Sequence, residues 1–236
     1  ETLREITMLN AQAVLVKLPM ELPAELLSPP EVLIITLPPG GRKLGPGATE
    51  TYLASLASLE PLLEGAQLVI FTSSTGVYGA AAGAGVVDEE TPPAPSTYSS
   101  QAVVAAEGWL QSKVLSLAIL RLAGLIGPGR DPGRFYGGSA RSIPRANAPV
   151  NLVHQADVIS AIQTLIANYN SLHGGQHIFN VCAAAHPSKG DFYTAAAALL
   201  NLPITGLEPG GHADKIIDST KLRRLGWEPA WDSLLR

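Results

Sequence analysis

Phe71-Thr72-Ser73-Ser74-Thr75-Gly76-Val77-Tyr78-Gly79 closes the apolar run Leu68-Val69-Ile70, and its reading decides the rest of the chain. A short, unbroken apolar run bounded by turn residues is the mark of a strand buried on both faces. Hydroxyl side chains crowd the carboxyl end of this run: Thr72, Ser73, Ser74 and Thr75, ahead of the turn former Gly76. In an open parallel sheet, ligands lie beyond the carboxyl ends of the strands. Small hydroxyls placed there can bind a ligand or polarise a carbonyl. They can equally close a turn or cap the next helix.

Upstream, Val32-Leu33-Ile34-Ile35-Thr36 is a second run of strand type, and Ala13-Val14-Leu15-Val16 a shorter one. Prolines 19, 23, 29 and 30 punctuate the connection between them, with a helical turn expected at 24–27. Pro38 to Gly47 reads as loop. Thr49 to Glu64 has helical apolar spacing, with Thr49 as N-cap and Glu50 in the first turn. Residues 1–10 are weakly amphipathic. Downstream, 80–97 reads as a long Ala/Gly/Pro loop and 99–113 as an Ala-rich helix. Leu117 to Leu122 is a strand, with a glycine-rich loop, 124–138, at its carboxyl end. Then come a strand at 150–153, a helix at 156–167, a strand at 177–181 and helices at 192–200 and 221–225. Strands alternating with helices predict a parallel sheet with right-handed crossovers.

The 236 residues suit one α/β domain, and a 46% hydrophobic fraction supplies its core. Net charge is −4 with no Lys/Arg cluster, which argues against a nucleic-acid surface. Cys182 is the single cysteine, so no internal disulfide forms, and its apolar setting marks it as a small core residue. No apolar run is long enough to cross a bilayer and no signal peptide is visible, so a cytoplasmic location is expected. His173, His177, His186 and His212 lack metal-ligand spacing with Cys182, and no metal is expected. Oligomeric state is not legible.

Five segments, in order, carry a resemblance to the extended short-chain dehydrogenase/reductases of the NAD-dependent epimerase/dehydratase type. Phe71–Gly79 is similar to the family's serine motif ending in Val-Tyr-Gly, and Leu120–Arg130 to the strand and loop that pass the nicotinamide. Leu152–Asp157 resembles its apolar-His-x-x-Asp segment, and Gly175–Val181 its last sheet strand. Asp218-Ser219-Thr220-Lys221 with Leu225-Gly226-Trp227-Glu228-Pro229 resembles its closing element. The resemblance implies a Rossmann-like, doubly wound parallel sheet. It also implies NAD or NADP as cofactor, a small-molecule substrate, and a substrate lobe built from about 130–150 and 183–236.

Two family signatures are not found. Gly-x-Gly-x-x-Gly, whose glycines let the backbone approach a pyrophosphate at a helix N-terminus, is absent from residues 1–35. Because the chain begins at Glu1, either a first strand and helix lie upstream or dinucleotide affinity is poor. The second is Tyr-x-x-x-Lys, in which the lysine's charge lowers the phenol's pKa. Counted from Ser74, with Glu107 giving the same register, the tyrosine position is Ser99 and the lysine position Val103. A shift by one brings in Tyr98 but puts Ala102 at the second position, and Lys113 lies too far along. The pattern resembles the family's atypical branch.

On this resemblance Ser74 is a donor to substrate or a turn residue, and Tyr98 a displaced acid or a helix-cap residue. Leu37, Pro38, Thr72, Ser73, Leu122, Ala123, Gly124 and Leu125 would face the cofactor. Arg130, Arg134 and Asn151 would face the substrate, the arginines clamping a phosphate or carboxylate or standing as solvated loop charges. Tyr78 reads as packing beneath the site, His154 as a structural partner of Asp157 or the backbone, and Asp157 as a helix-start acid. The implied activity is that of an NAD(P)-dependent epimerase/dehydratase or oxidoreductase. The alternatives are a non-catalytic dinucleotide-binding sensor or assembly module, or a truncated fragment that binds none.

Overall fold

The computed structural model describes residues 11–79 and 85–235; the expectation for residues 1–10 lies outside them. Among the described residues the main sheet has four strands, β1 (Val32–Ile35), β2 (Leu68–Ser74), β4 (Leu117–Leu122) and β7 (Gln176–Val181), in the order β1-β2-β4-β7. All its pairings are parallel. Every residue from Leu68 to Phe71 and from Leu117 to Arg121 is buried, which is why these strands read as continuous apolar runs rather than alternating ones.

The helices close the crossovers. The short α1 (Gly41–Leu44) leads through a 3-10 turn at Gly45–Gly47 into α2 (Ala48–Ala57) and α3 (Glu60–Leu63). The expectation of plain loop over Pro38–Gly47 is therefore corrected. Gly47 already has helical angles, φ −77° and ψ 0°, so α2 starts from it without the predicted Thr49 cap. Pro61, which has no N–H to give, sits in the first turn of α3 and separates it from α2.

The long α4 (Tyr98–Lys113) is capped by a reciprocal pair. Thr97 Oγ1 accepts from the Ser100 amide at 3.1 Å, and Ser100 Oγ accepts from the Thr97 amide at 3.0 Å. The remaining helices are α5 (Gly133–Tyr136), α6 (Gln155–Ala167), α7 (Tyr169–Leu172), α8 (Lys189–Leu199) and α9 (Thr220–Arg223).

Two further pairings were not anticipated. β3 (Gly85–Val87), within the expected 80–97 loop, pairs in parallel with β8 (Lys215–Ile217). β5 (Gly124–Ile126), within the expected 124–138 loop, pairs with β6 (Leu152–His154). Each strand spans three residues, too short for a sequence period to register. Conversely, the strand expected at 13–16 joins no ladder among the described residues, and Leu15 lies exposed.

The main core lies around the four-stranded sheet, α2, α4 and α6. Two smaller apolar clusters lie apart from it. One comprises Ile126, Val150, Leu152, Ala183, Phe192 and Leu234; the other comprises Tyr136, Ile143 and Ala146. Asp157, at the start of α6, ties the end of the chain down. Its carboxylate accepts from the amides of Ala230 at 2.7 Å and Trp231 at 3.0 Å, and its carbonyl from the Trp227 indole at 3.1 Å. It is thus a buried clamp on a distant segment more than an acid at its own helix start.

Candidate functional site

Parallel pairing dictates what stands under the candidate serine. Ser73 pairs with Arg121 and Arg121 with Asn180, one residue before the ends of β2, β4 and β7. Paired residues in a sheet share a face. Three polar side chains therefore meet in one row, and α4 adds Glu107. The Arg121 guanidinium gives two bonds to the Glu107 carboxylate, at 3.1 and 2.8 Å, and a third to the Tyr78 hydroxyl at 3.0 Å. Ser73 Oγ donates to Glu107 at 2.5 Å, and Tyr78 donates to Asn180 Oδ1 at 2.8 Å.

Arg121 and Glu107 are only 3% and 4% exposed. Burial acts to lower the Arg121 pKa, but the hydrogen bonds and charge of Glu107 outweigh it and hold the guanidinium above its ordinary range. Burial likewise raises the Tyr78 phenol. Tyr78 is thus a packed, doubly hydrogen-bonded support under the site. Sequence reasoning missed this network, although part of its signal was present: Arg121 is the one polar residue of β4, and Ser73, Arg121 and Asn180 each stand next to last in their strands.

Above it lies a cleft of about 580 Å³ at the carboxyl ends of β2 and β4. Thr72, Ser73, Ser74, Leu122, Ala123, Gly124, Leu125 and Arg130 line it, so the structure brings together eight of the expected site residues. Ser74 Oγ accepts from the Gly76 amide at 3.1 Å, capping the 3-10 turn Thr75–Tyr78. That bond uses a lone pair and leaves the O–H to donate into the cleft. The turn reading of Ser74 is the one seen, and this bond does not use the hydroxyl proton. Thr72 Oγ1 donates to the Ile35 carbonyl at 3.2 Å, and the Ser73 hydroxyl is committed to Glu107.

The other expected residues stand elsewhere. Leu37 and Pro38 leave β1 outside the lining, which takes in Pro39 and Arg42 instead. Leu37 offers its carbonyl to the Tyr52 hydroxyl at 2.8 Å. Tyr98 is 49% exposed and outside the cleft, whereas Ser99 and Val103, where the sequence register looked for a tyrosine and a lysine, both line it. Arg134 lines an adjoining chamber of about 760 Å³ with Phe135, Leu152 and Tyr193, and Gly124, Leu125 and Arg130 form the wall the two share. Asn151 is spent on β8, its amide donating to the Lys215 carbonyl at 2.9 Å and accepting from the Ile217 amide at 2.8 Å.

His154 caps α6 by accepting from the Ala156 amide at 3.1 Å and stacks on Trp231 at 4.2 Å. Lys215 donates to the carbonyls of Thr75 and Gly79, at 3.3 and 2.6 Å, tying β8 to the serine turn. Burial lowers its pKa. Among the described residues no group of three His, Cys, Asp or Glu side chains could hold a metal, and no helix is long and apolar enough to cross a membrane.

A parallel sheet with helical crossovers and a hydroxyl-lined cleft at its carboxyl edge makes this a Rossmann-like α/β protein. The chain matches UDP-glucose 4-epimerase of Thermotoga maritima, solved with UDP-glucose, with a TM-score of 0.69 and 21% identity over 85% of this chain and 72% of that one. It matches UDP-glucuronic acid 4-epimerase of Bacillus cereus, solved with NAD, at 0.68 and 16%, over 87% and 70%. A functionally unknown conserved protein of Silicibacter pomeroyi DSS matches at 0.73 and 25%, over 98% and 84%. No family model matches the chain. It is 43% identical over 209 residues to protein YeeZ of Escherichia coli K12, covering 84% of this chain and 70% of YeeZ, and it belongs to the YeeZ family.

Proposed function

We propose that the protein is an NAD(P)-dependent epimerase/dehydratase-like or oxidoreductase-like member of the atypical short-chain dehydrogenase/reductases, acting on a small molecule. The observation that carries this is the single cleft in which Ser74 and Leu122–Leu125 converge at the carboxyl ends of parallel strands. Similarity to epimerases solved with NAD and with a nucleotide sugar supports it.

The residues present fit the nicotinamide end of such a cofactor: Leu122, Ala123 and Leu125 offer an apolar wall, and Ser99 adds a hydroxyl, those of Thr97 and Ser100 being engaged in the cap of α4. The glycine-rich cradle for the pyrophosphate is not among them. When bound, the cofactor would supply hydride transfer. Ser74, held by the Gly76 amide, would donate to the substrate oxygen and polarise it. The lobe around the two smaller apolar clusters would close over the substrate, with Arg130 and Arg134 facing it. Tyr98 remains a candidate acid only if the start of α4 turns towards the cleft on binding.

Isothermal titration of the full-length protein with NAD and NADP tests this reading; absence of heat with either at saturating concentrations rejects it. One observation favours a second reading, a non-catalytic dinucleotide sensor: Val103 lines the cleft where the family's lysine would stand. Sustained turnover of a carbonyl or sugar-nucleotide substrate, lost in Ser74→Ala, excludes that alternative.

A further inference from the structure

The guanidinium groups divide sharply. Arg121, Arg145 and Arg223 are paired with Glu107, Asp214 and Asp232, and Arg141 donates to the Phe135 carbonyl at 2.7 Å. Arg42, Arg130, Arg134 and Arg224 have no side-chain hydrogen bond or ion pair among the described residues. Three of these four, all but Arg224, line the candidate cleft or its adjoining chamber. Arg42 and Arg130 both line the Ser74 cleft itself, and that lining contains no carboxylate. The nearby Glu107 carboxylate is saturated by Arg121 and Ser73.

The backbone of Arg42 is set there by the packing of its neighbour Gly41, while its side chain is exposed. A Cβ added at Gly41 would stand 2.5 Å from the Ser99 amide nitrogen and 2.7 Å from its Cα, distances that no side chain tolerates. Only glycine lets α1 lie this close against the start of α4, and the next residue, Arg42, is thereby set beside Ser99 at the cleft's edge. Arg130 reaches the same cleft from the loop after β5. Both side chains are exposed at the rim of a hydroxyl-lined cleft whose lining holds no carboxylate, and two guanidinium groups without an ion-pair partner at one rim suit a tetrahedral or planar oxyanion.

We propose that Arg42 and Arg130 form an anion clamp, and that the substrate carries a phosphate or carboxylate at the end that Ser74 engages. This rests on reading the cleft as the substrate site. It adds Arg42, which stands far from Arg130 in the chain, and it places the substrate's charge at the reacting end.

The test is nuclear magnetic resonance of the arginine Nε–H groups in the full chain, titrated separately with inorganic phosphate and with malonate. Two Nε–H signals should shift saturably, one vanishing in Arg42→Met and the other in Arg130→Met. Each variant should weaken anion binding by about tenfold or more, as loss of a charge-assisted hydrogen bond does. The probe that binds tighter names the anion as phosphate or carboxylate. Arg224→Met should change nothing, and circular dichroism of each variant checks its fold.

Wild-type signals that do not saturate, or that shift equally in Arg42→Met and Arg130→Met, overturn the clamp. So does displacement of the anion by NAD, which would assign both arginines to the cofactor. Failure of NAD binding leaves this titration readable, so the two proposals fall separately.

Discussion

Removing the Arg121 side chain is the sharpest test of the buried network. Arg121→Met keeps the length and apolar stem of the residue but deletes four contacts: two to Glu107, one to Tyr78, and the cation over the Tyr78 ring at 4.9 Å. It leaves the Glu107 carboxylate, 4% exposed, with the Ser73 hydroxyl as its remaining partner. Breaking one side of a buried pair in this way costs about 3–5 kcal/mol. In a chain of this size each kcal/mol moves the melting temperature by roughly 2–4 °C, so a drop on the order of 10 °C is expected. Glu107→Leu should cost a similar amount by stranding the guanidinium.

The double variant is the decisive one. Exchanging a buried pair for apolar groups of similar volume is often close to neutral, so it should recover most of the loss. The assay is urea unfolding of the four proteins followed by circular dichroism, arranged as a double-mutant cycle. Single variants within about 1 kcal/mol of wild type, or a double variant no better than the sum of the singles, would refute the reasoning. Because Arg121 lies in the row directly before Ser74 and Leu122, any ligand found for the Ser74 cleft should also bind Arg121→Met more weakly.

Asp157→Ala removes the acceptor of the Ala230 and Trp231 amides; at about 1.5–3 kcal/mol per charged hydrogen bond the fold should lose on the order of 3 kcal/mol, and hydrogen exchange should quicken first across 227–231. Burial pushes the Cys182 thiol up to about 12, so a thiol reagent at neutral pH should label it only at the rate of unfolding; immediate labelling of native protein would contradict its burial. Burial, and then the charge of Lys221, hold His177 below the ordinary 6.5. The unfolded chain then takes up the proton first, so this contribution to stability is full above pH 6.5 and falls away as the pH drops below it. His177→Gln should flatten that part of the stability–pH curve measured by denaturant melts.

The sequence alone was enough for the sheet and for the position of its cleft. Each main strand carries a short unbroken apolar run, so β1, β2, β4 and β7 announced themselves, and hydroxyls at a strand's carboxyl end marked where a ligand could lie. Ser74 was singled out for that reason and Leu122–Leu125 through the resemblance, and all five line the one cleft. The expectations that failed were local. Three-residue strands and four-residue helices carry too few residues for a period to show, so β3, β5, β8 and α1 read as loop.

Only the tertiary structure decided which charges are spent and which are free. Arg121 and Glu107 are far apart as letters and become partners because parallel register aligns Ser73, Arg121 and Asn180 across three strands beneath one helix. Asn151 had the composition of a binding residue and proved to be a brace for β8. Arg42 stood in a glycine-proline stretch with nothing local to distinguish it, until the contact of Gly41 with Ser99 set it at the cleft. Register and close packing are long-range properties, and a single residue's chemistry acquires its role only when they place it.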